Sequence, residues 1–126
     1  VGGTVTVFDT ATKAEKAKLR FEIAGVNQDL LQPVGIVFTP DDTTAFIALG
    51  PSNHVAVVNM QTFEVEDYIL VGRRVWQMAL NRDASQLFTT NGVSGDVTVI
   101  DVASRSALKS VKVGRFPWGV ALRVTE

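Results

Sequence analysis

Residues 53–59 (NHVAVVN) and residues 95–101 (GDVTVID) are two copies of one pattern, and they stand 42 residues apart. The similarity extends well beyond these positions, because residues 33–72 align with residues 75–114 without a gap and share eight identities in 40 positions. The identities fall on turn residues and on apolar positions. A fixed period of this length indicates a repeat architecture, in which each unit is one supersecondary structure.

Each repeat is predicted to form four short antiparallel strands. Val55 and Val57 alternate with Ala56 and Val58, and such alternation is typical of a strand. Neither face of this strand carries a charge, so we expect a sheet that is covered on both sides. Stretches rich in Pro, Gly, Asn and Asp separate the strands. The predicted strands are Val34–Thr39, Thr44–Leu49, His54–Asn59, Val65–Val71, Trp76–Asn81, Gln86–Asn91, Asp96–Asp101 and Leu108–Val113.

Four strands that recur about every 40–45 residues are typical of β-propeller blades. The predicted fold class is therefore all-β, with four-stranded antiparallel blades, a repeat of 42 residues and an incomplete ring. A β-sandwich and an up-and-down barrel are the rival all-β folds. Neither of them predicts a gapless repeat of this length.

The repeat also sets the predicted domain organisation. Residues 33–72 and residues 75–114 are two full blades. Residues 1–32 are predicted to be a half blade of two strands, because they hold a partial copy of the repeat. This copy is eight residues longer than the others, and the extra residues are expected around Lys13–Lys18 and Asn27–Leu31.

Residues 117–126 are predicted to supply the first strand of a closing blade, over Pro117–Val124. A lone inner strand at this end of the chain suits a ring that closes with strands from both chain ends. The sequence is therefore expected to be the C-terminal portion of a larger ring, and the remainder of that ring is its first expected partner. Exposed sheet edges invite pairing with another chain, so self-association is expected too.

Six stretches carry a family resemblance: PVGIVFTPDD (33–42), AFIALGPSNHVAVVN (45–59), ILVGRR (69–74), VWQMALNRDAS (75–85), LFTTNGVSGDVTVID (87–101) and VKVGRFPWGVAL (111–122). In these stretches the repeats resemble the YVTN-type β-propeller repeats. Within that group they are similar to the periplasmic propellers associated with alcohol oxidation that depends on the quinone PQQ. Trp76 and Gln77 stand where the family has Pro-x-Gly, and Asn59 stands where it has Asp.

The resemblance implies a periplasmic or extracellular ring of about seven blades. Proteins with such repeats include surface antigens, redox-linked binding proteins and lactonase-like enzymes, so the fold leaves the function open. The leading hypothesis is a non-catalytic binding or scaffolding propeller, with a link to quinone-dependent oxidation. The alternatives are a lactonase-like or redox enzyme with its site at the mouth of the propeller channel, and the propeller part of a larger redox enzyme.

Composition excludes several classes of function. Lys and Arg total 12 and Asp and Glu total 13, and this balance argues against nucleic-acid binding. The apolar stretches are no longer than a strand, so no membrane span is predicted. There is no Cys, which excludes disulfides and thiolate metal sites, and the single His cannot form a triad or a His-rich site. No cofactor, metal or catalytic residue is predicted.

The connections from the outer strand of one blade to the inner strand of the next form the candidate binding site. Arginine binds carboxylate or phosphate in forked geometry, and tryptophan offers a stacking face. The connections therefore predict a site for a small anion or a partner protein, with their arginines on one side of the disc. The alternative is that the Trp rings pack between blades and the Arg side chains pair with carboxylates. The candidate residues are Arg73, Arg74, Trp76, Arg115 and Trp118.

The other polar residues are predicted to be structural. Carboxylates that recur at the turns of each repeat indicate local capping of the backbone. These residues are Asp9, Asp41, Asp42, Asp83 and Asp101, and Asn59 takes the equivalent place in one repeat. His54 stands at a hairpin end and is predicted to be a surface turn residue, the alternative being a ligand completed by other blades. The basic stretch of Lys13, Lys16, Lys18 and Arg20 is predicted to be a solvated edge strand, whose lysines prevent pairing with another chain.

Overall fold

The structure, a computed structural model, describes residues 3–123. Ten strands form three antiparallel sheets there, and the helices of this part are two short 3-10 turns, Gln28–Leu30 and Gly50–Ser52. Neither is long or apolar enough to cross a membrane. The strands are β1 (Thr4–Phe8), β2 (Glu15–Arg20), β3 (Ile36–Phe38), β4 (Thr44–Ala48), β5 (His54–Asn59), β6 (Glu64–Leu70), β7 (Val75–Leu80), β8 (Gln86–Asn91), β9 (Asp96–Asp101) and β10 (Ser106–Lys112).

Two sheets are complete blades. Strands β3 to β6 pair in sequential order and form blade 2, and strands β7 to β10 do the same and form blade 3. The predicted all-β class with four-stranded antiparallel blades is confirmed. Strand ends agree with the prediction to within two residues, and β3 is shorter than expected. Its pairing continues outside the regular ladder, since the Val34 N–H donates to the Ala48 carbonyl (2.9 Å).

Strands β1 and β2 form a two-stranded sheet, the half blade. Its hairpin turn matches those of the full blades, because Lys13, Phe63 and Arg105 hold the same place and have φ values of 63°, 59° and 55°. The insertion expected around Lys13–Lys18 is therefore wrong, since β2 occupies this stretch as an ordinary outer strand. The extra residues all lie in residues 21–32, the connection to blade 2.

The strand predicted over Pro117–Val124 is absent from its described part, residues 117–123. Val124 and the two residues after it lie outside the described residues. A β-strand is defined by its pairing with a neighbour, and residues 3–123 contain no second strand for this closing blade. The segment lies instead against blade 3, where the Thr90 hydroxyl donates to the Trp118 carbonyl (2.9 Å).

The two central strands of blade 2 are buried on both faces, as predicted for β5. Its contact with the half blade is the first joint, and its contact with blade 3 is the second joint. Each fully buried Val, Leu, Ile or Phe contributes about 1.5–3 kcal/mol, so apolar packing holds the sheets together. The core of the first joint is Leu19, Phe21, Leu31, Ala45, Ile47, Leu49, Ala56 and Val58. The core of the second is Phe46, Ala48, Val55, Val57, Ile69, Val75, Met78, Leu87 and Ile100.

The two ends of the blades carry different segments. The Val71 N–H donates to the Asn53 carbonyl and the Gly92 N–H to the Arg74 carbonyl, both at 2.9 Å, so the connections between blades lie beside the turns between second and third strands. We call this end the connection face, and its segments are 49–53, 71–74, 91–95 and 113–116. The opposite face carries the hairpin turns 39–43, 59–63, 81–85 and 101–105.

Candidate functional site

The connection between blades 2 and 3 is held by turns of both blades. The Arg73 N–H donates to the Ser94 Oγ (2.9 Å), and the Arg74 N–H donates to the Asn53 Oδ1 (2.8 Å). Arg74 has a φ of 58°, a left-handed conformation that is uncommon outside glycine. These hydrogen bonds fix the backbone from which the two arginine side chains leave.

Three side chains form a stack beside this connection. The Arg74 guanidinium lies 5.0 Å from the centre of the Trp76 ring, within reach of a cation–π interaction. The Trp76 and Trp118 rings stack with their centroids 4.5 Å apart and their planes 19° from parallel. Trp76 is therefore covered on both sides, whereas Trp118 at the end of the stack is 63% exposed. Trp76 thus packs on the C-terminal segment, and ligand binding at Trp118 stays a prediction.

All three predicted arginines lie on the connection face, as the repeat led us to expect. Arg73 and Arg115 are exposed, and neither joins the stack. Within residues 3–123 the single ion pair joins Arg105 to Glu66 on the opposite face, so the predicted alternative of arginine–carboxylate pairs is not seen for the three arginines in this part.

Beside the stack lies a concavity of about 420 Å³, which we call the connection pocket. Lys112 and Arg115 bring two positive charges to it, Phe116 brings an aromatic ring, and its lining contains no carboxylate. The Lys112 Nζ donates to the Ser94 carbonyl, which ties the outer strand to the turn opposite it. The full lining is Gly92, Val93, Ser94, Gly95, Lys112, Gly114, Arg115 and Phe116.

The pocket depends on a close approach of two loops at Gly95. This residue has a φ of 69°, and a Cβ placed on it would lie 2.6 Å from the Gly114 carbonyl oxygen. Only glycine combines this conformation with this distance at no steric cost. The turn 92–95 and the connection 113–116 therefore meet at this point and form the two walls of the pocket.

Sequence reasoning identified Arg115 but missed the rest of the pocket. Lys112 ends β10 and Phe116 follows Arg115, so both stand next to the Val-Gly-Arg stretch that was predicted to bind a ligand. Phe116 is 73% exposed, and its φ of 51° matches that of Arg74, 42 residues earlier. This repeated position after Val-Gly-Arg is the signal that could have identified Phe116.

The acidic turn residues lie on the opposite face and cap their own turns, as predicted. The Asp41 carboxylate accepts hydrogen bonds from the Thr39 hydroxyl and from the Thr43 hydroxyl and N–H. These bonds favour the charged form and hold the pKa of Asp41 below its usual value. The pKa is lowered by local hydrogen bonds in the same way at Asp9, Asp83 and Asp101.

The two remaining members of the predicted set are Asn59 and Asp42. Asn59 caps its turn in the same manner, since its Oδ1 accepts from the N–H groups of Gln61 and Thr62. Asp42 contributes conformation instead of a cap, because its φ is 58°. Of the basic stretch, Lys13 lies in the hairpin turn, and Lys16, Lys18 and Arg20 are exposed on β2, where the Lys16 ammonium sits 5.7 Å from the centre of the Phe63 ring.

His54 begins β5 at a hairpin end, as predicted, and is half-buried. Its Nδ1 lies 2.6 Å from the Ser52 carbonyl oxygen, and because a carbonyl can only accept, Nδ1 carries the proton. Residues 3–123 hold no group of three or more His, Cys, Asp or Glu side chains placed to bind a metal ion.

Comparison with known proteins supports the fold and leaves the family open. No protein-family profile matches the chain, and no curated protein matches it either. Among solved structures, the hydrazine synthase of Kuenenia stuttgartiensis is 31% identical over 79% of this chain and 29% of that chain, with a TM-score of 0.70. The dihydro-heme d1 dehydrogenase NirN, in complex with DHE, is 17% identical over 90% of this chain and 24% of that chain, with a TM-score of 0.72.

Both neighbours are β-propeller proteins, so they support the blade assignment. The chain spans less than a third of either neighbour. The likeness to NirN concerns the fold alone at this level of identity. The YVTN-type resemblance remains a prediction.

Proposed function

We propose that these blades belong to a non-catalytic binding propeller whose connection face takes a small planar anion. The observation that carries this proposal is the connection pocket, where Lys112 and Arg115 stand in a lining without a carboxylate. Two cations with no neutralising partner in the lining create a positive potential, and a concave wall of low dielectric concentrates it.

The exposed aromatic rings determine the shape of the ligand. Phe116 and Trp118 are 73% and 63% exposed, although their burial would be favourable. Exposed aromatic groups beside a charged pocket are typical of a surface that stacks on a flat ligand. An aromatic carboxylate satisfies both parts of the site, since its ring stacks and its anionic group accepts the forked hydrogen bonds of arginine.

Location and physiological context are further parts of the proposal. The YVTN-type resemblance supports a periplasmic or extracellular protein with a link to quinone-dependent oxidation. Its other partners would be the remainder of the propeller ring and, at the open flanks, a second copy of the chain or a partner protein. Leu108 and Val111 are each about half exposed on the outer strand of blade 3 and favour such association.

A second candidate is the propeller part of a larger redox enzyme. The 31% identity to a synthase chain, of which the match covers 29%, supports it. In that case the connection face would hold substrate or another domain, and the catalytic groups would lie elsewhere in the whole protein. The sequence of the whole protein discriminates the two, because only the enzyme requires a catalytic centre.

Titration of the chain with naphthalene-2-carboxylate, followed by the backbone amide signals in NMR, tests the binding proposal. We expect saturable shifts in the amides of residues 112–116 and of Trp118. Replacing Arg115 with Ala removes a charge-assisted hydrogen bond and is expected to weaken binding about tenfold. The matched control is Arg82→Ala, which removes one positive charge from a turn of the opposite face and is expected to leave the affinity unchanged.

Two results would contradict the proposal. One is equal affinity for the uncharged naphthalene-2-carboxamide, which would show that the surface recognises only the ring. The other is equal weakening by Arg82→Ala and Arg115→Ala, which would show that net charge matters and the pocket does not.

A further inference from the structure

The second joint contains a buried polar network directly beneath the connection face. Thr89, Asn91 and Thr98 are almost fully buried on the side of blade 3 that faces blade 2. The residues 42 positions earlier are all apolar, and they pack in the first joint. The matched pairs are Ile47 with Thr89, Leu49 with Asn91, and Ala56 with Thr98.

Asn91 is the centre of this network. Its amide oxygen accepts a hydrogen bond from the Thr89 hydroxyl (3.0 Å). Its amide nitrogen donates to the Asp96 Oδ1 and to the Thr98 Oγ1, both at 2.8 Å. Because a carboxylate only accepts, these contacts fix which end of the amide faces Asp96. The side chain of Asn91 is therefore held in one orientation.

The network ends on the backbone of the connection that carries the arginines. The Thr98 Oγ1, which accepts from Asn91, also accepts the Gly72 N–H (3.3 Å). The Ser94 Oγ donates to the Asp96 Oδ1 (2.7 Å) and accepts the Arg73 N–H (2.9 Å). Two consecutive N–H groups of the connection are thus held by side chains that Asn91 orients.

The same network reaches the pocket. Ser94 belongs to the pocket lining, and its carbonyl oxygen accepts from the Lys112 Nζ. The main-chain carbonyl oxygen of Asn91 accepts the Gly95 N–H (2.9 Å), and this bond closes the turn 92–95. Both the pocket wall and the base of the Arg74–Trp76–Trp118 stack are connected to Asn91.

We infer that Asn91 is a positioning residue for the ligand site of the connection face, and this inference rests on the proposed function. The first joint shows that apolar residues fill these positions in the same fold, so the blade does not require polar ones. Burying polar groups gains little stability even when they are fully hydrogen-bonded. What the hydrogen bonds supply is a fixed direction for the connection, which apolar packing does not.

Replacement of Asn91 by Leu, the residue at the matched position 49, tests the inference in the full chain. Two quantities are measured: amide hydrogen exchange at Gly72 and Arg73, and the affinity for naphthalene-2-carboxylate. We expect exchange at both amides to become at least about tenfold faster, since the acceptors of these N–H groups lose their fixed positions. Exchange in the centre of β5 follows global unfolding and should change only by the factor that the loss of stability gives, so it should accelerate less than exchange at Gly72 and Arg73. The affinity should fall about tenfold, the effect of one lost hydrogen bond.

The outcomes separate this inference from the proposed function. Unchanged exchange at Gly72 and Arg73 overturns the inference even if the affinity falls. Faster exchange with full affinity also overturns it, while the proposed function stands. Failure of the unmodified chain to bind the probe overturns the proposed function and, with it, the role of Asn91 in ligand binding.

A second pair of variants decides the matter if Asn91→Leu does not fold. Thr98→Val removes the hydroxyl at nearly constant shape, and Thr98→Ser keeps it. Faster exchange and weaker binding in Thr98→Val, with recovery of both in Thr98→Ser, support the inference. Equal behaviour of the two variants overturns it.

Discussion

The two joints of blade 2 are built by the same repeat and solve the same packing problem in different ways. At the first joint, Leu49 is fully buried among apolar neighbours, close to Phe21 and Leu31. At the second joint the matched residue is Asn91, which is just as buried and makes three side-chain hydrogen bonds. The fold accepts either solution at this position.

Apolar packing and hydrogen bonding contribute different properties to the two joints. Apolar contact is strong and has no direction, so the first joint holds two sheets together and specifies little else. Hydrogen bonds have direction, and those of the second joint end on the N–H groups of Gly72 and Arg73. The polar joint is the one that lies under the candidate site.

The largest expected effect comes from exchanging the two solutions. Leu49→Asn should lower the free energy of unfolding by about 3–5 kcal/mol, because the apolar burial of Leu is lost and an amide is buried without partners. The reverse change, Asn91→Leu, should cost only about 1–2 kcal/mol, since it loses hydrogen bonds and gains apolar burial. Urea unfolding of both variants measures the asymmetry.

Equal costs for the two exchanges would contradict this distinction between the joints. They would mean that the first joint tolerates a polar residue as readily as the second, and that the residue types at positions 49 and 91 carry no information about the joints. A hydrophobic variant of similar size, Leu49→Met, serves as the control and should cost less than about 1.5 kcal/mol.

An intermediate effect is expected at Gly72, where the connection crosses the polar network. A Cβ on this residue would meet the Asn91 amide and would lie 2.5 Å from the Asp96 Oδ1. Gly72→Ala should therefore lower the free energy of unfolding by about 1–3 kcal/mol. Gly119→Ala is the matched control, because no atom lies within 4 Å of its Cβ position. Equal stability of the two variants in thermal unfolding would show that the network yields to the extra methyl group.

The smallest effect concerns the ion pair that crosses the second joint on the opposite face. Glu66 and Arg105 are joined at 2.5 Å, and both side chains are about one-third exposed. The Asn59 amide and then Arg105 lower the pKa of Glu66 from its usual 4.5. The folded state thus favours the carboxylate, and its contribution is present above pH 4.5 and is lost as the pH falls through the lowered pKa.

Glu66→Gln should therefore lower the melting temperature slightly at pH 7, because exposed ion pairs contribute little. The difference from the unmodified chain should shrink in high salt and disappear in acid. Glu64→Gln on the same strand is the control, since Glu64 has no ion pair among residues 3–123. A constant difference between pH 7 and pH 3 would exclude the ion pair as the cause.

Most of the fold could be predicted from the sequence because the repeat is a local signal that occurs twice. Turn residues such as Asp41 and Asp83 fix the hairpins through contacts two residues away, so the strand limits follow from short stretches. The misplaced insertion has a physical cause: the outer strand β2 is exposed and rich in lysine, and such a strand resembles a loop. The strand expected over Pro117–Val124 is absent from residues 117–123 because a strand requires a paired neighbour, and residues 3–123 contain no second strand of that blade.

The candidate site was predictable only in part, since it depends on contacts between segments far apart in sequence. Arg74 and Trp76 could be identified from their position after Val-Gly-Arg. The stack of Trp76 on Trp118 and the approach of Gly95 to Gly114 require three-dimensional geometry. Asn91 was placed at the end of a strand, where asparagine usually indicates a turn, and its burial had no signature in one sequence.

The stacked indoles have a consequence for measurement. Trp76 and Trp118 are the only two tryptophans in the chain, and both lie at the connection face. Tryptophan fluorescence therefore reports on one place alone. Two parallel indoles at this separation also couple their electronic transitions, which gives a paired signal in circular dichroism. This signal should change when a ligand binds, when the connection loosens or when Trp118 is removed. The two tryptophans therefore serve as an intrinsic spectroscopic probe of the candidate site.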